Sequence, residues 1–514
     1  MRMLSYSRTE DPVTQPPAQS PDASNPPGSP PDLLITHVDA ILGGVRGEQY
    51  RVETDQAIAV SGRRISWVGP SSAVESTAAT RTIDARGRLA VPGLINTHNH
   101  LFQNLVKGLG DEMYLLPWVE AIILPTSEEM TPEETYIGAL LGCVESLHSG
   151  STTVLDFMFG LPDIEQHRAV LRAIRDSGIR GFMGRATRDL NPDSGYRDPW
   201  YLPLDEVFAQ LSQLVREFPS GLSVPGVLPA PGTVRTMTAD GLMRVHDWAV
   251  AENSQITIHM GEYTEEREHA IQRWGVGAFA KAEEIGFLDQ RVVAAHCVKL
   301  DADELDIAAR TGMHVAWCPV SNYYLGNGAA PILTMLDMGI SVGLAADGGA
   351  CGNTQDMLEA MKFGALVMKG TSHDPRVFGA RDALQLATVG GARSLGLVDE
   401  LGAIEVGRLA DMFLFDPWRL KTVPVHEPIS ALVWASSQAN VETVIVDGQV
   451  VLEDGRSTRI DETDLMREVT ERAAELSRRA GTAHLTIGRR MTPFGIDRTP
   501  VRRPAARSAD TTQA

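Results

Sequence analysis

Residues 91–100 read VPGLINTHNH. An apolar run ends in two histidines, His98 and His100, with one residue between them. In a strand, residues i and i+2 face the same way, so both imidazoles can reach one point. The same design recurs down the chain. QITIH ends at His259, RVVAAH at His296 and ISVGLAAD at Asp347. Each polar residue closes a short apolar, strand-like run.

Working outward, further runs of this kind are STTVLDF, RGFMGRA, LSVPGVLPA and MHVAWCP. With RLAVPGLINTH they make eight strand candidates. Amphipathic stretches of helical length lie between most of them, such as PEETYIGALLGCVESLHSG and HRAVLRAIRDSG. Alternating strand and helix implies a parallel sheet, and eight units imply a (β/α)8 TIM barrel over 92–400. That fold presents its working residues where strands end, which is where these histidines and Asp347 fall.

The flanks have another texture. LLITHVDAIL, AIAVSGRRISWVG and RTIDARGRLAVPG are short, β-branched and broken by glycine, and so are ADMFLFD and TVIVDGQVVLEDG near the far end. Asp447-Gly448 is a hairpin dipeptide. The expectation is a small β-sandwich domain built from both ends of the chain, 32–91 and 401–460. A helical segment follows at 461–486. Residues 1–31 hold eight prolines and cannot bury enough apolar surface to offset their ordering entropy. They are expected to be a disordered tail, as is the arginine-bearing stretch 487–514.

Composition narrows the function classes. Of 514 residues, 43% are hydrophobic and 22% charged, with 66 acidic against 46 basic and a net charge of −20. Such a balance disfavours nucleic acid and anionic membranes as partners. No apolar run of membrane-spanning length occurs, and the start of the chain has no apolar segment of the signal-peptide kind. Cys143, Cys297, Cys318 and Cys351 are too sparse for a disulfide framework, which points to a reducing cytoplasm.

Three histidines with a carboxylate suit a divalent metal such as Zn²⁺ or Fe²⁺. Taken together, VPGLINTHNH, HMGE, AHC, CPVSN and AADGG resemble the amidohydrolase superfamily in order and spacing. More narrowly they resemble its nucleobase-deaminase and s-triazine chlorohydrolase branch, which includes adenosylhomocysteine and methylthioadenosine deaminases and 8-oxoguanine deaminase. The resemblance covers about residues 33–460. It implies that His98, His100, His259 and Asp347 hold one metal ion. It implies further that His296 steadies the water and Glu262 shuttles protons, with Asp347 taking part in the chemistry. Several relatives use a second metal and a carboxylated lysine at the end of strand four, but LSVPGVLPAPG contains no lysine. One ion, Zn²⁺ first and Fe²⁺ second, is therefore expected.

The activity implied is hydrolytic deamination of an amino-substituted N-heterocycle: a purine, pyrimidine, pterin or s-triazine. A chlorohydrolase or cyclic-amide hydrolase with the same site is the alternative. A metal-free scaffold would have no need of all six residues. Candidate substrate contacts are Gln103, three residues beyond His100, Trp118 for stacking, Arg185 after strand three and Asn322 in CPVSN. Cys297 and Cys318 are not expected to ligate, and the acidic stretch 263–268 is read as a solvated helix start. Relatives in this branch imply a homodimer or higher assembly. Two departures stand out. Ala345-Ala346-Asp347 lacks the hydroxyl residue that many relatives place before the aspartate. The loop after it, Gly348 to Asn353, also differs from theirs.

Overall fold

The computed structural model describes residues 29–45, 49–160, 162–189, 200–218 and 226–487. The expected tails lie outside these, apart from 29–31 and 487. All eight strand candidates are strands. In order they are Leu94–Asn99, Ser151–Met158, Arg180–Thr187, Gly226–Pro231, Ile256–Met260, Val292–His296, His314–Trp317 and Ser341–Leu344. They are called barrel strands one to eight below. The first four form one parallel sheet and the last four another.

Two seams close these sheets into the barrel. Thr233, just beyond strand four, bridges in parallel to His259 on strand five. Across the other seam the Asp347 amide donates to the His98 carbonyl at 3.1 Å, and Thr97 Oγ1 donates to the Leu344 carbonyl at 3.0 Å. Helices follow the strands, beginning with Pro132–His148 and Ile164–Ser177. The first starts at a capping box in which Thr131 and Glu134 satisfy each other's backbone amides, so two otherwise unpaired donors are used. Apolar side chains of strands and helices make one large core, with Val154, Ile258, Val315 and Trp317 fully enclosed.

RLAVPGLINTH, read as one strand, is two. Leu89–Pro92 belongs to the small β domain and Leu94–Asn99 to the barrel. Gly93 separates them, its amide donating to the Asp411 carbonyl at 3.0 Å. A Cβ here would come within 2.1 Å of Thr152 Oγ1, so only glycine lets the chain turn this corner against strand two.

Strands from both ends of the chain pair into one sheet. Leu33–Leu42 pairs antiparallel with Arg51–Ser61 on one edge. On its other edge it pairs parallel with Arg81–Asp84 and Leu89–Pro92. Met412–Phe415 adds to Leu89–Pro92, and Val441–Val446 and Gln449–Glu453 continue the same sheet. Asp447 and Gly448 both take positive φ, 55° and 77°, the backbone that a tight two-residue hairpin requires. Arg180, on strand three, is buried and ties the barrel to this sheet. It donates to both carboxylate oxygens of Asp411, at 3.0 and 2.8 Å, and to Asp447 at 3.1 Å. The helix Glu462–Arg479 returns to the first barrel helix, where Arg479 meets Glu134 at 2.7 Å and His148 meets Glu462 at 2.8 Å. No helix among the described residues is long and apolar enough to cross a membrane.

Candidate active site

Strand ends bring His98, His100, His259, His296 and Asp347 together, all buried. The His98 and His100 rings are 4.9 Å apart, and those of His98 and His259 are 4.8 Å apart. Nε2 of both His98 and His100 lies 3.6 Å from Asp347 Oδ1. His296 and Asp347 sit at φ 75° and 68°, backbone that side chains other than glycine adopt rarely and at functional sites.

The ring nitrogens show what this cluster can hold. His100 Nδ1 lies 2.6 Å from the Phe157 carbonyl, and His259 Nδ1 lies 3.2 Å from the Gly232 carbonyl. A carbonyl only accepts, so both Nδ1 atoms carry the proton and both Nε2 atoms are lone pairs when the rings are neutral. Burial, the first cause, pushes the pKa of both rings below the usual histidine range. Yet the two Nε2 atoms face each other at 3.3 Å. Facing lone pairs repel unless a cation lies between them. Tetrahedral zinc with Zn–N bonds of about 2.0–2.1 Å puts its nitrogens about 3.3–3.4 Å apart. His98 adds to this, being fully buried with no hydrogen-bond partner for either ring nitrogen. The donor set therefore fits one divalent cation.

Asp347 keeps its charge. Burial opposes it, but His296 and His100 beside it more than offset that and hold its pKa below the usual carboxylate range. The Gly348 amide donates to its Oδ1 at 2.7 Å, and the nearby Ser321 hydroxyl lowers its pKa further. A hydroxyl near Asp347 thus comes from the helix Pro319–Tyr324 after strand seven. Cys318 can share a point with His296 and Asp347, but burial raises its thiol well above the usual range, and its Sγ donates to the Ala316 carbonyl at 3.6 Å.

Glu262 stands beside this cluster. Its Oε1 lies 3.8 Å from His296 Nε2 and accepts from Asn327 Nδ2 at 3.1 Å. Burial raises its pKa. Four residues farther on, at the helix start, the sequence expectation fails in part. Thr264–Trp274 is a helix, but Glu266 is buried rather than solvated. Its Oε2 accepts from the Glu262 amide at 3.1 Å. Burial pushes its pKa up to about 8.

A slot opens over the cluster. Its floor is His100, His259, Glu262, His296 and Asp347, and its walls include Leu116, Trp118, Val119, Phe159 and Leu325. Gln103 and Trp118 border it, as the sequence suggested. A Cβ on Gly348 would lie 2.3 Å from Gln103 Oε1, so a larger residue there would displace the Gln103 side chain. Arg185 does not border the slot. It is buried behind strand three, donating to Gln210 Oε1 at 2.6 Å and to the Ala186 carbonyl. Asn322 is not on the slot wall either, and its Oδ1 lies 2.9 Å from His296 Nδ1. Sequence reading missed Arg235, Thr233, Phe159 and Asn327. All four lie on loops or strand ends with no motif around them. A larger cleft of about 980 Å³ opens near His314 and Arg393, at the opposite ends of the strands. It lacks the clustered ligands and is not where this fold places its chemistry.

Known proteins agree with this geometry. The model of the amidohydrolase family matches residues 89–451. The chain belongs to that family. This amidohydrolase is 35% identical over 432 residues to a 5-methylthioadenosine/S-adenosylhomocysteine deaminase of Pelotomaculum thermopropionicum, covering 83% of this chain and 95% of the relative. One from Symbiobacterium thermophilum is 34% identical over 84% of this chain and 96% of its own. Among solved structures, a zinc-bound adenosine deaminase from Xanthomonas campestris superposes with a TM-score of 0.81 at 26% identity, covering 88% of this chain and all of that one. A zinc complex of atrazine chlorohydrolase from Arthrobacter aurescens gives 0.80 at 26% identity over 86% of this chain and 100% of that one. The amidohydrolase is an enzyme, a hydrolase of carbon–nitrogen bonds.

Proposed function

We propose that this amidohydrolase removes the exocyclic amine of an adenine-type nucleoside by hydrolysis, with Zn²⁺ held by His98, His100, His259 and Asp347. The observation that carries the reading is Glu262, a buried carboxyl at the slot floor held by Asn327. An amine leaves only once it is protonated, and Glu262 with Asp347 gives the site the two proton carriers that deamination needs, one for the ring and one for the leaving group. Relatives that bear an adenosine-derived deaminase name align over nearly their whole length, which favours the purine ring among N-heterocycles.

When bound, the ion supplies Lewis-acid polarisation and makes water acidic enough to ionise near neutral pH. The chain's own residues do the rest. His296, its Nδ1 tied to Asn322, keeps Nε2 free to orient the attacking water. Asp347, charged, accepts the water's proton. Glu262, whose raised pKa keeps it protonated longer than an ordinary carboxyl, donates to the ring nitrogen beside the carbon under attack. The amine then leaves with the proton taken up by Asp347, and the new hydroxyl returns a proton to Glu262 as the carbonyl forms, so water enters and ammonia departs. Gln103 and Trp118 hold the ring across the slot.

The test is ammonia release by zinc-loaded enzyme from adenosine, methylthioadenosine, S-adenosylhomocysteine, guanine, an aminopyrimidine, a pterin and an aminotriazine. Ammonia from the adenine-type substrates is expected, with kcat lowered about 10²- to 10⁴-fold in Glu262→Gln. Chloride release from a chlorotriazine with no ammonia from any purine would overturn the reading.

A further inference from the structure

Arg235 is the one cation on the slot wall among the described residues. Its Nε is shielded from solvent and has no hydrogen-bond partner, and no ion pair with it occurs among the described residues. The two carboxylates on the floor are already engaged, Glu262 by Asn327 and Asp347 by Gly348. A guanidinium stays charged at any physiological pH, and a shielded donor with no acceptor is costly to leave unmet.

The loop that carries Arg235 is built to hold it still. The Arg235 amide donates to Thr233 Oγ1 at 3.0 Å, and the Thr233 amide donates to Thr236 Oγ1 at 3.1 Å. Arg273 donates from below to the carbonyls of Val234, Arg235 and Met237 at 3.4, 3.1 and 3.3 Å. The bridge from Thr233 to His259 fixes the loop to the floor of the site.

We infer that Arg235 receives an oxyanion carried by the substrate, at the side of the slot formed by loop 232–237. This rests on the proposal that the slot holds the substrate, and it narrows the substrate to a heterocycle bearing a carboxylate or phosphate. The fork of the guanidinium matches a two-oxygen carboxylate edge. Arg235 is then a specificity residue, remote from the bonds that break.

Calorimetric titration of the zinc-loaded holoenzyme tests this with deaminated ligands that are not turned over. The probes are inosine, S-inosylhomocysteine with its carboxylate and inosine 5′-monophosphate with its phosphate. Wild type is expected to bind at least one anionic probe about tenfold or more tighter than inosine. Arg235→Met should weaken that probe about 10- to 100-fold, in line with a charge-assisted hydrogen bond, and leave inosine within about threefold. Arg235→Lys should recover part of the loss. Which anion shows the gap names its source. In turnover, KM for the anionic substrate should rise with kcat unchanged. Equal weakening of inosine, or no gap in wild type, overturns the inference. If no purine binds at all, the proposed function fails and benzoate, a ring with a carboxylate and no purine, decides for Arg235: weaker binding to Arg235→Met supports it, and equal or no binding to both overturns it.

Discussion

His296 Nδ1 lies 2.9 Å from Asn322 Oδ1. This contact fixes the ring's tautomer, because the amide oxygen can only accept. In the neutral ring the inward Nε2 is thereby kept as an acceptor, the role the proposed reaction asks of it. Asn322→Leu should lower kcat about 10- to 100-fold while metal content stays near one ion per chain. Asn322→Asp, which retains the acceptor, should recover much of the rate. Metal analysis alongside kinetics checks both.

Removing the metal should both silence and loosen the enzyme. Chelated protein is expected to lose activity and regain it with Zn²⁺. Its Tm should fall, since an ion at a hundred times its Kd stabilises by about 2.7 kcal/mol. His98→Ala removes the ring that has no other partner, so it should lower bound metal below one equivalent and mute the Tm response to added Zn²⁺.

Glu266 carries a pH signature. Its folded pKa of about 8 lies above the ordinary 4.5 because burial disfavours its charge. Below pH 4.5 both folded and unfolded chains hold this proton and the residue costs nothing. Between 4.5 and 8 the unfolded chain releases it and the folded one does not, so stability falls by about 1.4 kcal/mol per pH unit at most. Above 8 the loss is complete. Glu266→Gln keeps an acceptor for the Glu262 amide and has no such charge to bury. The Tm of the variant minus that of wild type should therefore climb from pH 5 to pH 8 and level off beyond. A flat difference across that range would contradict the assignment.

Arg180 is the pin between the barrel and the small domain. Arg180→Met leaves Asp411 and Asp447 without their shared cation in a buried place. Breaking one side of a buried pair costs about 3–5 kcal/mol. Urea unfolding should register that loss, with the metal site unaffected in the folded fraction.

The barrel was legible because its signal is repeated. Each apolar run ends in a polar residue, and period and position agree at His98, His259, His296 and Asp347. The join at Gly93 was not legible, since RLAVPGLINTH carries a continuous apolar pattern and the corner depends on how close Thr152 comes. Asn322 was noticed and placed on the substrate, but it reaches His296. The residue type shows a hydrogen-bonding group and not its direction. Ser321 brings a hydroxyl near Asp347 from the short helix Pro319–Tyr324, which no local motif announces. Arg185 and Arg235 look alike in sequence, an arginine at or just past a strand. One is buried against Gln210 and the other borders the slot. Only the packing of their loops separates them.

The seam at which the Asp347 amide meets the His98 carbonyl sets an order of events during synthesis. Chains emerge from the ribosome amino end first, so two metal-facing histidines appear long before the aspartate that completes their set. Until strand eight has emerged, strand one has no neighbour on that side. The sheet that braces the barrel also waits for residues up to Glu453. Nascent chains therefore carry an incomplete ligand set from residue 100 to residue 347, nearly half of their translation, and the set closes only in its last third.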